Sequence, residues 1–309
     1  MLGFEYLMVF PESCNQNPES ILPLGMSLPD QRQLFVSFVR LTRAWNLLII
    51  VFAQYFTAFF LAQANVLHDF PLFLLSLSTV LIAAGGYVIN DYYDVKIDYV
   101  NNPDRVVVGK TIHRRFAILL HVALSVLGVF IGLFVSWKLA VVNVFSVSVL
   151  WFYSNLLKRL PFIGNFTVAL LTGASIAIIF FLYETNMVSI LIYALFSFFM
   201  TLVREIIKDM EDLKGDNTFG CKTLPIVWGI RKTKITLYFL IFLFSVIVLV
   251  INQLYVKVDV IYFVMLLFVP LAWLVMRLVR ADTKKDYGWL SSFCKVIMLL
   301  GILSMTLVP

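Results

Sequence analysis

Charge is scarce in this sequence. Only 14% of its 309 residues are Asp, Glu, Lys or Arg, whereas 61% are hydrophobic. A soluble domain of this length needs a far larger polar surface, so a water-soluble globular enzyme is excluded. Cysteine is nearly missing as well: Cys14, Cys221 and Cys294 form an odd set without C-x-x-C spacing. That argues against a disulfide framework or a structural zinc site and for free thiols. Histidine is limited to His68, His113 and His121. His121 falls within an apolar run and reads as a hydrogen-bonded core residue rather than a ligand. The formal net charge is +6, but the Lys and Arg residues flank apolar runs, where anionic headgroups account for them. No nucleic-acid partner is expected.

What the chain has instead is long hydrophobic runs. Runs of about 20 apolar residues, long enough to cross a bilayer, lie near 45–64, 70–90, 114–136, 138–157, 164–183, 187–206, 233–252, 258–278 and 289–308. The expected fold is all-α and integral to the membrane, with nine transmembrane helices in a single domain over 32–309. Arg32, Arg40, Arg43, Lys96, Arg105, Lys110, Arg114, Arg115, Lys158, Arg159 and the basic residues after 204 and 277 gather on one side of this layout. The other side holds Lys138 and Lys257, and Lys295 falls inside the last run. By the positive-inside rule the first side, with the N-terminus, is expected to be cytoplasmic, and the expected location is the cell (inner) membrane. Residues 1–31 lack signal-peptide features and contain the polar stretch PESCNQNPES. They read as a disordered extension or a mis-assigned start, with Met26 as the alternative initiator.

The few carboxylates are concentrated in two segments, NDYYDVKIDYVNNPDR (Asn90 to Arg105) and REIIKDMEDLKGD (Arg204 to Asp216), each at the end of an apolar run. An ionised Asp within a bilayer costs about 2.5 to 3.5 kcal/mol on insertion scales, so such gathering calls for a bound cation. If the second run stays helical past Asn90, then Asn90, Asp94 and Asp98 share one face at i, i+4 and i+8, with Asp91 beside them. Glu205, Asp209, Asp212 and Asp216 follow the same logic at i, i+4, i+7 and i+11. Hard oxygen ligands of this kind suit Mg²⁺, which keeps several waters and is shared with substrate phosphates. Two facing clusters would clamp a diphosphate between two ions, while Arg105, Lys110, Lys158, Arg204 and Lys208 take up the remaining phosphate charge. The bland alternative is solvated charge between spans. Regular spacing and the repetition on one side count against it for the acids, but for Tyr153 and Lys158 in YSNLLKR the two readings stay balanced.

The pattern NDYYDVKID, the second Asp-rich segment, RAWN around Asn46 and YSNLLKRLPFIGN together resemble the UbiA superfamily of intramembrane prenyltransferases, over nearly the whole chain from Arg40 onward. The resemblance implies a helix bundle around a cavity open laterally to lipid, with helix-loop caps at its cytoplasmic end. REIIKDMEDLKGD followed by GCKTLPIVWG is most similar to the branch that forms archaeal-type ether lipids. There an allylic donor, geranylgeranyl diphosphate, alkylates the glycerol hydroxyl of geranylgeranylglyceryl phosphate. On this reading Asn90, Asp91, Asp94 and Asp98 hold the first Mg²⁺ and Asp209, Asp212 and Asp216 the second. Asn46, Asn90, Arg105, Lys158 and Lys208 contact the diphosphate, and Tyr153 assists at the reacting carbon. Glu205 and Glu211 are the candidate bases. Where relatives often read N-R-P-D-R-P, this chain has NNPDRV, with Asn102 for Arg and Val106 for Pro.

The partners implied are a prenyl diphosphate, an amphiphilic acceptor and membrane lipid, with no obligate protein partner. A quinone-pathway enzyme alkylating 4-hydroxybenzoate, a naphthoate or homogentisate is the enzymatic alternative. A cation transporter is the alternative from another class, although transporters place such acids near the bilayer midplane.

Overall fold

The computed structural model describes residues 31–256, 261 and 264–308. The expected extension over 1–31, including Met26 and Cys14, lies almost wholly outside the described residues, and the expected span 258–278 lies partly outside them.

Helices account for nearly all of the described chain: α1 (Gln31–Leu41), α2 (Ala44–Phe56, prolonged by a π-turn Thr57–Leu61), α3 (Phe70–Asn101), α4 (Arg114–Val135), α5 (Trp137–Asn155), α6 (Ile163–Ala177), α7 (Phe180–Tyr183), α8 (Met187–Glu211), α9 (Leu213–Thr218), α10 (Leu224–Ile251), α11 (Val269–Arg280) and α12 (Lys284–Leu303). Extended structure among the described residues is limited to one isolated bridge between Val108 and Ile112. Eight helices among the described residues are long and apolar enough to cross a membrane. Their ends carry the expected punctuation. Asp69 caps α3 by accepting from the Leu72 N–H at 2.9 Å with proline in the first turn, and Thr283 and Asp286 form a capping box at α12.

The spans pack as a bundle with α8 at its centre. In α8, 72% of the apolar window is buried, against 17% in α5 and 22% in α4, so α8 contacts protein on most sides while α4 and α5 face outward. Phe196, Phe199, Met200, Val203 and Ile207 of α8 join Leu237, Phe244, Leu271, Leu274, Leu290 and Ile297 of α10, α11 and α12 in the largest core cluster. Phe130, Phe134, Phe239 and Phe242 point away from the bundle and are exposed, as expected of residues that meet acyl chains rather than water. Where α3, α4 and α5 meet, Ser78 donates to the Gly128 carbonyl at 2.7 Å and Asn143 donates to Ser78 at 2.7 Å, the interhelical hydrogen bonding that helices without a hydrophobic driving force use. His121 is buried there with its Nδ1 2.9 Å from the Gly85 carbonyl oxygen, the core role read from the sequence.

The bundle has one charged end. There α1 and the 106–112 loop fold back, and Leu41, Val88, Val107, Val108, Ile112 and Ala117 make a small separate core. Val106 is buried beside it at 8% exposure.

Candidate active site

The first acid cluster stands on α3 because that helix does not stop where the membrane run does. It continues to Asn101, which turns Asn90, Asp94 and Asp98 to one side. Lys158 bridges to this row, its Nζ 2.5 Å from Asp94 Oδ1 and 3.5 Å from Asn90 Oδ1. Lys158 sits on a 3-10 turn (Leu157–Arg159) that rests directly on Gly164 at the start of α6. A Cβ there would lie 2.7 Å from the Lys158 Cα, so only glycine lets the turn come this close. Asp91 faces another way, its Oδ1 accepting from Arg43 Nη2 at 2.9 Å. Arg43 links α1 to α2 in the left-handed region (φ 52, ψ 52), and its guanidinium lies 4.9 Å from the Tyr87 ring centre. A left-handed non-glycine residue costs on the order of 1 kcal/mol, which the ion pair and the stacked ring offset.

The second cluster departs from the expectation of one continuous helix face. α8 ends at Glu211, Asp212 (φ −92, ψ 5) breaks it, and Asp216 belongs to the short α9. The physical reason is a clamp from α3. The Asn101 side chain donates to the Asp212 carbonyl at 3.1 Å and accepts from the Gly215 N–H at 2.9 Å, while Lys284 donates to the Asn101 carbonyl. Asp209 remains on α8, and Asn165 of α6 donates to its Oδ2 at 2.8 Å.

The clamp brings the clusters face to face. Asp94 lies within electrostatic range of both Asp212 and Asp216, and Lys208 within range of Asp98, Asp212 and Asp216. Burial, and then the neighbouring Asp212, push the Asp216 carboxyl up to about 7. Burial likewise raises Asp212 despite Lys208 and Lys284. Burial pulls the Lys158 ammonium below its ordinary value even though Asp94 opposes the shift. Carboxylates crowded in this way lack positive charge. Asp212 Oδ1 is also buried without a hydrogen-bond partner among the described residues.

The donor set fits a hard divalent cation. Among the described residues no three His, Cys, Asp or Glu side chains converge into a ready-made cage. An ion held here takes one or two carboxylates and completes its shell with water and phosphate oxygens, the habit of Mg²⁺.

Behind the acids a cavity runs into the bundle. Its polar mouth is lined by Arg43, Asn46, Asn90, Tyr153, Lys208 and Lys295, and Arg204 and Glu205 lie on the same wall. Deeper in, Ile82, Leu150, Leu171 and Ile176 give way to Tyr193, Ile302 and Met305 at the far end. Asn46 is turned from the acids and accepts from Lys295 Nζ at 3.1 Å. Glu205 is paired with Arg204. Arg105 closes a 3-10 turn (Pro103–Arg105), and its side chain lies outside what is described. Lys110 donates to the Pro103 carbonyl at 2.6 Å.

Asn101, Asn165 and Lys295, as well as the pairing of Arg43 with Asp91, were missed by sequence reasoning. Asn165 closes YSNLLKRLPFIGN and Arg43 opens RAWN, so both lay within motifs already singled out. Lys295 carried the only usable warning, being a cation inside an apolar run.

Residues 50–300 match the UbiA prenyltransferase family. The chain belongs to that family. Digeranylgeranylglyceryl phosphate synthase of Saccharolobus solfataricus is 32% identical over 231 residues, covering 74% of this chain and 80% of the relative. The protein of that name from Korarchaeum cryptofilum is 32% identical over 249 residues, covering 78% of this chain and 87% of the relative. Among solved structures, a digeranylgeranylglyceryl phosphate synthase superposes with a TM-score of 0.69 at 24% identity, covering 88% of this chain and 97% of that one. A UbiA homologue from Archaeoglobus fulgidus bound to GPP and Mg²⁺ superposes with a TM-score of 0.56 at 16% identity, covering 87% and 99%. Family and apolar helices together make this an integral membrane protein and a UbiA-type prenyltransferase.

Proposed function

We propose that the protein transfers a geranylgeranyl group from geranylgeranyl diphosphate to the glycerol hydroxyl of geranylgeranylglyceryl phosphate, forming an ether lipid. The observation that carries this reading is the pair of facing acid clusters at the mouth of an apolar cavity, with Lys158 and Lys208 set among them. Relatives of that name align over most of their length. In the same reading the acid-bearing end faces the cytoplasm, which the distribution of Lys and Arg supports.

In this reading Asn90, Asp94 and Asp98 hold one Mg²⁺ and Asp209, Asp212 and Asp216 the other. Asp91 is committed to Arg43 and orders the first cluster instead of ligating. When bound, the two ions neutralise charge that develops on the departing diphosphate. Lys158 and Lys208 present ammonium groups to the remaining phosphate oxygens, and Asn165 keeps Asp209 in one rotamer. The bond from the allylic carbon to the diphosphate oxygen breaks with both electrons on oxygen. The half-buried Tyr153 ring on the cavity lining and the apolar cavity wall keep water from the resulting allylic cation. The acceptor hydroxyl oxygen forms the new ether bond and its proton passes to Glu205, the carboxylate on the cavity wall.

A product assay in detergent tests this. Purified protein, Mg²⁺ and labelled geranylgeranyl diphosphate are offered geranylgeranylglyceryl phosphate in one reaction and 4-hydroxybenzoate in another. Label is expected in the doubly prenylated phospholipid and absent from Asp94→Asn and Asp212→Asn. Label on the arene would move the protein to quinone synthesis, and near-normal turnover by both variants would overturn the metal assignment.

A further inference from the structure

Four cations line the mouth of the cavity, Arg43, Arg204, Lys208 and Lys295, and all four lie within electrostatic range of one carboxylate, Glu205. Two of them are accounted for: Arg43 pairs with Asp91, and Lys208 lies between the facing aspartates. The other two are not. Arg204 shares Glu205, yet its Nε–H is buried and has no hydrogen-bond partner among the described residues. The Lys295 ammonium has a single neutral acceptor, the Asn46 amide oxygen at 3.1 Å, and no ion-pair partner among the described residues. It stands in an otherwise apolar part of α12, followed by Val296, Ile297 and Met298. An ionisable side chain kept inside a membrane helix and aimed into a cavity marks a ligand path, and here the local excess charge is positive.

We infer that Arg204 and Lys295, with Asn46 steering the lysine, form a second anion subsite that binds the phosphate monoester of the acceptor. This rests on the reaction proposed above and adds the place where the acceptor is gripped. A phosphate monoester carries close to two negative charges and three strong acceptor oxygens. It supplies what both groups lack, a partner for the guanidinium Nε–H and a counter-charge for the ammonium. The donor diphosphate belongs on the opposite side of Lys208, among the acids. Two anionic groups thus sit on two walls of one mouth, each with its own cations, so the acceptor is distinguished from a second donor by which wall it reaches.

The test separates this subsite from the reaction itself. With wild-type protein, product formation from geranylgeranylglyceryl phosphate is compared with that from the same lipid lacking its phosphate, geranylgeranylglycerol. The comparison is repeated in Lys295→Met and Lys295→Arg. In wild type, removal of the phosphate is expected to raise the acceptor KM by at least about 10-fold, the scale of one charge-assisted hydrogen bond. Lys295→Met is expected to raise the KM for the phosphorylated acceptor by about the same factor, to leave the KM for the dephosphorylated lipid nearly unmoved, and to change the donor KM by less than about 3-fold. Lys295→Arg should recover most of the loss. If Lys295→Met lowers turnover of both acceptors alike, or raises the donor KM instead, the subsite is refuted while the reaction stands. If wild type prenylates 4-hydroxybenzoate and neither lipid, the reaction assignment has failed and the assay shows that separately. Should Lys295→Met not fold, the wild-type comparison decides alone: equal KM values for the two lipids overturn the inference.

Discussion

Adding one methyl group at Gly215 should uncouple the two acid clusters. The Cβ of Gly215→Ala would lie 2.4 Å from Asn101 Nδ2 and 2.5 Å from its Cγ and Oδ1. Asn101 is 7% exposed and held from three directions, so it cannot swing clear without breaking its bonds to Asp212 and Gly215. Two hydrogen bonds at about 0.5 to 1.5 kcal/mol each and an overpacking strain of about 1 to 3 kcal/mol put the cost at about 2 to 6 kcal/mol. Asn101→Ala loses the same bonds without the clash and should cost about 1 to 3 kcal/mol. The double variant has nothing left to clash and should cost no more than Asn101→Ala, so the coupling is as large as the Gly215→Ala cost itself, about 2 to 6 kcal/mol. Thermal unfolding in detergent reads the stability cycle, and a Mg²⁺ titration of turnover reads the site. The Mg²⁺ needed for half-maximal rate should rise in both single variants because Asp212 and Asp216 are no longer held opposite Asp94. Additive stabilities, or an unchanged Mg²⁺ requirement in a destabilised Gly215→Ala, would refute the clamp.

Three further expectations follow from the packing. Gly164→Ala pushes the 157–159 turn off α6 and should raise the donor KM by about 10-fold through misplaced Lys158; a donor KM equal to wild type would show that Lys158 finds its place by other means. Tyr193, whose hydroxyl lies 3.1 Å from Ser304 Oγ, closes the cavity 15 residues from Lys208 along α8, about 22 Å at the helical rise. Tyr193→Ala should therefore let prenyl donors longer than geranylgeranyl diphosphate compete with it in a mixed-donor assay, and an unaltered chain-length preference would move the floor elsewhere. Cys221 is 5% exposed, and burial together with Asp216 pushes its thiol up to about 11. In a Cys14→Ser background its labelling by maleimide at pH 8 should be far slower than that of a model thiol, since the thiolate is the nucleophile; fast labelling would mean that the loop opens readily.

The membrane-embedded helical fold was legible because it depends on composition and run length: a bilayer demands about 20 apolar residues per crossing and internal satisfaction of every backbone group, and neither condition needs a neighbour to be known. The acid-bearing segments were legible for the same reason, since six aspartates and an asparagine gathered in two short stretches, 90–98 and 209–216, are conspicuous where charge is otherwise rare. Local spacing also predicted the row on α3, whose helix continues unbroken through Asn101.

Where that local rule failed, a contact across the fold was responsible. The row expected over Glu205, Asp209, Asp212 and Asp216 is broken at Asp212, where Asn101, more than a hundred residues away in sequence, takes the Gly215 N–H with its side chain and adds a second donor to the Asp212 carbonyl. The pairing of Arg43 with Asp91, the support of Asp209 by Asn165, and the meeting of Lys295 with Asn46 join residues from different helices. The sequence by itself determined which residues were dear enough to need a ligand, because the cost of a charge in an apolar run is a one-residue property. Which charges neutralise one another, and which remain for substrate, was decided only when the helices packed, because Coulomb and hydrogen-bond energies depend on separations that no spacing along the chain contains.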